Sequence, residues 1–291
     1  MKPARFDHYE PATLAEALSL LAEFGDTAKP LAGGQSLVPM MNMRLARPGQ
    51  LVDLNRVGEL TYIEVDNGQL RIGAMTRQRA LERSEVVARG WPLLLEATRH
   101  IGHVQIRNRG TVGGSLVHAF PSAELPVVMI ALDATLVLRS TKGERRVRAE
   151  EFFVDVMTTV LQPGELLVEV RLPPRNPGSG ASFQEVSRRH GDFALMGVAA
   201  VITPDPKGKV GAARLVFTGA VPARSRNAEE SLIGKPPDLE RFAKAARIAA
   251  MELEPESDVH ASGEYRKEAA AVLGRRALEQ AASRAFGKTQ R

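Results

Sequence analysis

Apolar and polar positions follow two rhythms along this 291-residue chain. Leu14, Ala17, Leu18 and Leu21 recur at helical spacing behind a capping box of Thr13 and Glu16, and Gly25 stops the run, which predicts a first helix. Residues 29–32 then lead into a loop. Residues 37–45 form an apolar segment carrying Met40, Met41 and Met43, read as core or subunit-contact filler. Residues 51–54 read as a short buried strand, giving a small βαβ-like first lobe. A second lobe opens near Val57, where alternating runs at 61–65 and 69–74 flank Asp66-Asn67-Gly68, a strong hairpin signal. Helices are predicted over 76–88, 91–101 and 122–132. Strands over 134–139, 145–148 and 165–172 complete a mainly antiparallel sheet.

Pro173-Pro174-Arg175-Asn176-Pro177-Gly178-Ser179-Gly180 reads as a linker. Beyond it, runs at 182–187, 193–202 and 210–220 predict a smaller three-stranded antiparallel sheet, and the tail turns helical over 263–286. The fold class expected is α+β. Its predicted organisation is a domain over 1–175, with lobes of about 1–56 and 57–175, followed by a C-terminal domain over 176–291.

Within this framework two loops stand out: Ala32-Gly33-Gly34-Gln35-Ser36 and Thr111-Val112-Gly113-Gly114-Ser115. Adjacent glycines let the backbone turn sharply and approach a ligand, so that several N–H groups can face one anion. Each loop opens into an apolar run read as helical, whose N-terminus would add its dipole. Two such loops in one domain suggest a shared pyrophosphate. Neither continues as Gly-Lys-Ser/Thr, which argues against a triphosphate P-loop. No Gly-x-Gly-x-x-Gly follows a strand, which argues against a Rossmann fold. A dinucleotide held mainly by neutral amide and hydroxyl donors fits what remains, and FAD in a non-Rossmann fold is such a ligand.

Composition narrows the chemistry. The chain has no cysteine, which excludes disulfides, a thiolate nucleophile, Cys-ligated zinc and ordinary iron–sulfur clusters on its own residues. A redox role then needs an organic cofactor here, with metal centres on other chains. The net charge of +5 comes from scattered basic residues that mostly neighbour acids, and aromatics are only 5%, so a nucleic-acid surface is not expected. Arg145-Arg146-Val147-Arg148 reads as a solvated edge strand. No apolar run is long enough to span a bilayer, and the N-terminus lacks a signal core, which predicts a cytoplasmic protein.

These residues together resemble the FAD-binding medium subunit of molybdenum hydroxylases, the group of aerobic carbon monoxide dehydrogenase and xanthine dehydrogenase. The resemblance rests on both Gly-Gly loops, Gln50-Leu-Val-Asp-Leu54, the lead Ile106-Arg-Asn-Arg-Gly110, Gly164-Glu-Leu-Leu167, Gly191-Asp-Phe-Ala194 and Ser262-Gly-Glu-Tyr-Arg266, and runs nearly end to end. It implies a vanillyl-alcohol-oxidase-like (PCMH-type) FAD fold of two lobes and a family-specific C-terminal domain. It implies that Ala32, Gly33, Gly34, Gln35, Ser36, Thr111, Val112, Gly113, Gly114 and Ser115 hold the FAD pyrophosphate. Ser115 stands where Asn is common. Glu124 stands where the family has Asp, an acceptor for the ribityl or ribose hydroxyls. Phe193 matches an aromatic near the isoalloxazine, with a core phenylalanine on an inner strand as the structural alternative. Leu167 offers a backbone contact to the flavin edge or burial in a strand. Arg107 and Arg109 are read as braces of the turn.

The role implied by the resemblance is electron relay. A molybdenum–pterin large subunit oxidises substrate, a small subunit carries two [2Fe-2S] clusters, and this chain passes electrons from FAD to an external acceptor (quinone, NAD or dioxygen). A dimer of heterotrimers is expected, with no catalytic or metal-ligating residue on this chain. The alternative is a self-contained FAD-dependent oxidase of the same fold class, for which the roughly 110 residues after the linker are few.

Overall fold

The computed structural model describes residues 1–287. They form two compact units, one of residues 1–83, 104–119 and 134–173, the other of residues 84–103, 120–133 and 174–287.

In the first unit the opening helix runs Leu14–Phe24, with Thr13 Oγ1 accepting from Glu16 N at 3.2 Å and Gly25 ending it at φ 55°. Its buried face of Leu14, Ala17, Leu18 and Leu21 joins Val52, Leu54, Val137 and Val168 in one core. Strands β1 (Asp7–Tyr9), β2 (Ala28–Leu31) and β3 (Gln50–Asp53) make a parallel sheet in the order β1-β3-β2. The β2-loop-helix-β3 segment is the expected βαβ-like lobe, with the helix at Leu37–Asn42.

Strands β4 (Ile63–Asp66) and β5 (Gln69–Gly73) are joined by Asn67 and Gly68, whose φ values of 50° and 78° are those a two-residue hairpin requires. They continue into a five-stranded antiparallel sheet with β6 (Thr135–Ser140) and β7 (Gly143–Arg148). A short hairpin of β8 (Phe153–Asp155) and β9 (Thr158–Thr159) precedes β10 (Leu166–Leu172), and the large sheet has the order β4-β5-β10-β6-β7. The arginine-rich β7 is at its edge, and Arg145, Arg146 and Arg148 pair with Glu165, Glu144 and Glu150.

At the centre of this sheet Glu169 is buried and accepts from Tyr62 Oη at 2.6 Å, Arg71 Nε at 2.7 Å and Arg171. Burial pushes the Glu169 carboxyl pKa up, but the hydrogen bonds from Tyr62, Arg171 and Arg71 outweigh it and hold the group below the usual carboxylate range.

In the second unit the strands are β11 (Gly180–Ser187), β12 (Ala194–Pro204), β13 (Val210–Phe217) and the two-residue β14 (Ala223–Arg224), antiparallel in that order. The three expected strands are present, and β14 adds a short fourth. The helix Gly263–Phe286, capped by Ser262 Oγ on Tyr265 N, lays Ala270, Leu273, Ala277, Leu278 and Ala281 into a core with Val198, Phe217 and Phe242. The helices Pro92–Thr98 and Glu124–Ala131 pack on the same sheet.

One expectation changes. Residues 76–88 are not one helix but Gln78–Arg83 followed by Glu85–Gly90, because Ser84 adopts extended backbone and caps the second through Val87 N. No helix among the described residues is long and apolar enough to cross a membrane.

Candidate functional site

The two Gly-Gly loops meet in the first unit. A Cβ on Gly33 would collide with the backbone of Arg109 and Gly110, and one on Gly114 would lie 3.6 Å from the Ala32 Cβ. Glycine at position 33 is therefore needed for one loop to lie against the other. Gly113 packs equally tightly the other way, since a Cβ there would stand 2.7 Å from the Ala74 Cβ and 2.9 Å from its carbonyl oxygen.

The loops differ in how their amides are bonded. In the second loop Val112 N donates to Thr76 O at 3.0 Å, Gly113 N to Ala74 O at 2.8 Å and Ser115 N to Thr111 O at 3.2 Å. Gly114 N donates to Thr111 Oγ1 at 3.1 Å, the N-cap bond of the helix Val112–His118. Ala74 N in turn donates to Val168 O at 2.9 Å, so the loop is anchored on β10.

In the first loop the N–H groups of Gly33, Gly34, Gln35 and Ser36 meet no acceptor among the described residues. Gly34 sits at φ 72°, the left-handed region that glycine enters most readily. Gln35 Nε2 donates to Gly33 O at 3.1 Å, and Ser36 makes no side-chain capping bond.

A groove of about 290 Å3 opens over this loop, walled by Leu31, Val38 and Pro39 and by Asp53, Asn55 and Arg109. That is the low end of ligand-pocket volumes (roughly 300–1,000 Å3), room for one end of a dinucleotide. Four unpaired amides in succession, with the hydroxyls of Ser36 and Ser115 nearby in the paired loops, suit phosphate oxygens. The helices behind the loops are short, six residues at Leu37–Asn42 and seven at Val112–His118. The donors are thus individual amides more than an aligned helix dipole.

The two arginines of the lead segment separate. Arg107 is buried and its Nε donates to Glu82 Oε2 at 3.0 Å, the bracing role expected of it. Burial raises the Glu82 pKa, and hydrogen bonds from Arg79 and Arg107 overcome that and lower it. Arg109 is exposed and lines the groove.

Leu167 is buried in β10. Glu124 and Phe193 belong to the second unit. Glu124 is buried as the first residue of Glu124–Ala131. Phe193 is not a core residue on a strand. It precedes β12, is 71% exposed, and rests on Phe120 with ring centroids 4.6 Å apart. Its turn is shaped by Gly191 at φ 88°, against which the His103 ring packs, and by Arg266, which donates to the Leu195 carbonyl.

Sequence reasoning missed Arg77 and Asn55. Arg77 donates to the Arg109 carbonyl and to Asn55 Oδ1, and Asn55 Nδ2 donates to Ala32 O at 3.1 Å. No local pattern marks either residue, because the partners lie 32 and 23 positions away.

An amide cradle of this kind on an α+β scaffold suits the phosphates of a nucleotide outside the Rossmann class. The chain belongs to the family described as FAD binding domain in molybdopterin dehydrogenase, whose sequence model matches residues 4–175, and residues 181–281 match the CO dehydrogenase flavoprotein C-terminal domain. It is 44% identical over 287 residues to the 6-hydroxypseudooxynicotine dehydrogenase complex subunit alpha of Paenarthrobacter nicotinovorans, covering 98% of this chain and 97% of the relative. It is 39% identical to the caffeine dehydrogenase subunit beta of Pseudomonas sp. (strain CBB1), with the same coverage. Among solved structures, the carbon monoxide dehydrogenase of Hydrogenophaga pseudoflava lacking the Mo-pyranopterin moiety superposes with a TM-score of 0.95 at 37% identity, over 98% of this chain and 100% of that one. The chain is thus a medium FAD subunit of the molybdenum hydroxylase family, an oxidoreductase component with FAD as its cofactor.

Proposed function

We propose that this chain is the electron-relay subunit of a cytoplasmic molybdenum hydroxylase. Its partners are a large subunit with the molybdenum–pterin centre and a small subunit with two [2Fe-2S] clusters, assembled as a dimer of heterotrimers. When bound, FAD supplies the redox chemistry, taking electrons from the iron–sulfur clusters and giving them to an external acceptor (a quinone, NAD or dioxygen). The chain's own residues bind and orient. The amides of Gly33, Gly34, Gln35 and Ser36 receive the phosphates. Thr111, Val112, Gly113 and Gly114 form the shelf on which Ala32 and the first loop rest, and Ser115 adds a hydroxyl.

In this reading Glu124 accepts from ribityl or ribose hydroxyls, Leu167 supports the flavin edge, and Phe193 on Phe120 offers an aromatic surface to the isoalloxazine. No side chain need act as acid, base or nucleophile on the organic substrate. Without cysteine the chain cannot ligate a cluster through thiolates, which agrees with clusters held elsewhere. The run of four unpaired amides beside the groove carries the reading.

It is tested by the visible spectrum and released cofactor of the chain purified from its native host with whatever accompanies it. FAD together with a molybdenum subunit and an iron–sulfur subunit is the expected result. FAD on a solitary, substrate-oxidising chain would contradict the relay.

A further inference from the structure

Charge is the unexplained feature of the groove. Arg109 lines it with Gly33, Gly34 and Gln35, and its guanidinium meets no acceptor among the described residues. Arg77 lies close enough to feel it. Burial and the charge of Arg109 lower the Arg77 pKa, while Asp53 acts in the opposite direction. Neither guanidinium has a carboxylate within ion-pair distance among the described residues. The Asp53 carboxylate accepts from Asn55 N at 2.9 Å and from the Asn55 amide, and it stands 3.4 Å from His8.

A surface arginine facing solvent needs no explanation. Here, however, the Arg109 guanidinium lines a groove beside four unpaired amides, its own backbone carbonyl is held by a second arginine, Arg77, and neither guanidinium is paired with a carboxylate among the described residues. Arg77 also links the loops, since it holds the Arg109 carbonyl and, through Asn55, the Ala32 carbonyl.

We propose that Arg109 is the cationic ligand of the dinucleotide phosphates in this chain, and that Arg77 and Asn55 are positioning residues that hold the two Gly-Gly loops at the spacing those phosphates need. This rests on the FAD reading of the groove and amends one part of the expectation from sequence, in which neutral donors did most of the work. A pyrophosphate brings two negative charges. The planar fork of an arginine can take two of its oxygens while the amides of the first loop take others.

The test is a titration of the 291-residue chain, stripped of flavin, with FAD at several salt concentrations, followed by flavin fluorescence. Arg109→Gln is expected to weaken FAD binding about 10- to 100-fold and to flatten its salt dependence, because the lost contact is between charges. Arg109→Lys should recover part of both. Arg77→Lys keeps the charge and loses the two-pronged bridge, so it should weaken binding while the salt dependence stays. Asn55→Leu should do the same.

If Arg109→Gln matches the unsubstituted chain in affinity and salt dependence, this inference falls and the FAD reading stands. A salt dependence lost in Arg77→Lys and kept in Arg109→Gln would overturn the division of roles. If the unsubstituted chain binds no FAD, the reading of the groove falls and this inference with it.

Discussion

The two Gly-Gly loops are nearly interchangeable on paper and opposite in their bonding. In the first, four successive amides have no acceptor among the described residues; in the second, the four amides from Val112 to Ser115 are all bonded within the unit. Glycine serves close packing in both, at Gly33 against the Arg109–Gly110 backbone and at Gly113 against Ala74. A Gly-Gly-polar pattern therefore reports a backbone that must come near something. Whether that something is ligand or protein depends on where the amides find acceptors. Here the second loop is the foundation and the first is the cradle built on it.

The comparison breaks most readily at its base. Glu169→Ala removes the acceptor shared by Tyr62, Arg71 and Arg171 on β10, the strand whose Val168 carbonyl holds Ala74 and, through it, Gly113. A loss of about 3–5 kcal/mol is expected on denaturant unfolding of the flavin-free chain. Because the folded carboxyl pKa is depressed, the Glu169 contribution is fully present above the unfolded value of about 4.3 and fades as pH falls through the folded value. The variant should lack that acid-side loss.

Next in size, Gly113→Ala drives a methyl group into the Ala74 backbone and should cost about 1–3 kcal/mol with or without flavin. Gly34→Ala at φ 72° should cost about 1 kcal/mol of stability, with its larger consequence a loss of FAD affinity. If both variants lower flavin-free stability equally and neither changes FAD affinity selectively, the proposed division of labour fails.

Thr111→Ala removes the cap on Gly114 N and should lower stability by about 1 kcal/mol, read from the flavin-free melting temperature. The smallest effect is expected from His100→Gln in the second unit, under about 1 kcal/mol. The hydrogen bond to Glu185 raises the His100 pKa against the opposing effect of burial. That stability is fully present below the unfolded value of about 6.5 and is lost as pH rises through the folded value. Unfolding midpoints of the two proteins should converge at high pH, and divergence there would contradict the ion pair.

Local signals in the sequence carried far. Thr13 caps the helix it was expected to start, the tail is helical from Gly263 to Phe286 as expected, Asn67-Gly68 turns its hairpin, and the arginine-rich segment is a sheet edge. The break at Ser84 was not legible, because residues on both sides favour helix and a Ser cap is a weak mark inside such a run. Phe193 looked apolar enough for a core strand, yet the turn set by Gly191 and His103 leaves it exposed. The fates of Arg107 and Arg109, two positions apart, depend on Glu82, 25 residues away from Arg107, which no local pattern reveals. The loops themselves were legible as a pair. Their difference was not, since it lies in acceptors supplied by Ala74, Thr76 and the Thr111 hydroxyl.

Amide hydrogen exchange of the chain with and without FAD, resolved to the two loops, reads that difference directly. The account predicts fast exchange at residues 33–36 in the flavin-free chain and strong protection there on adding FAD, with residues 112–115 slow in both states. Fast exchange at 112–115 without flavin, or FAD protection confined to that loop, would contradict it.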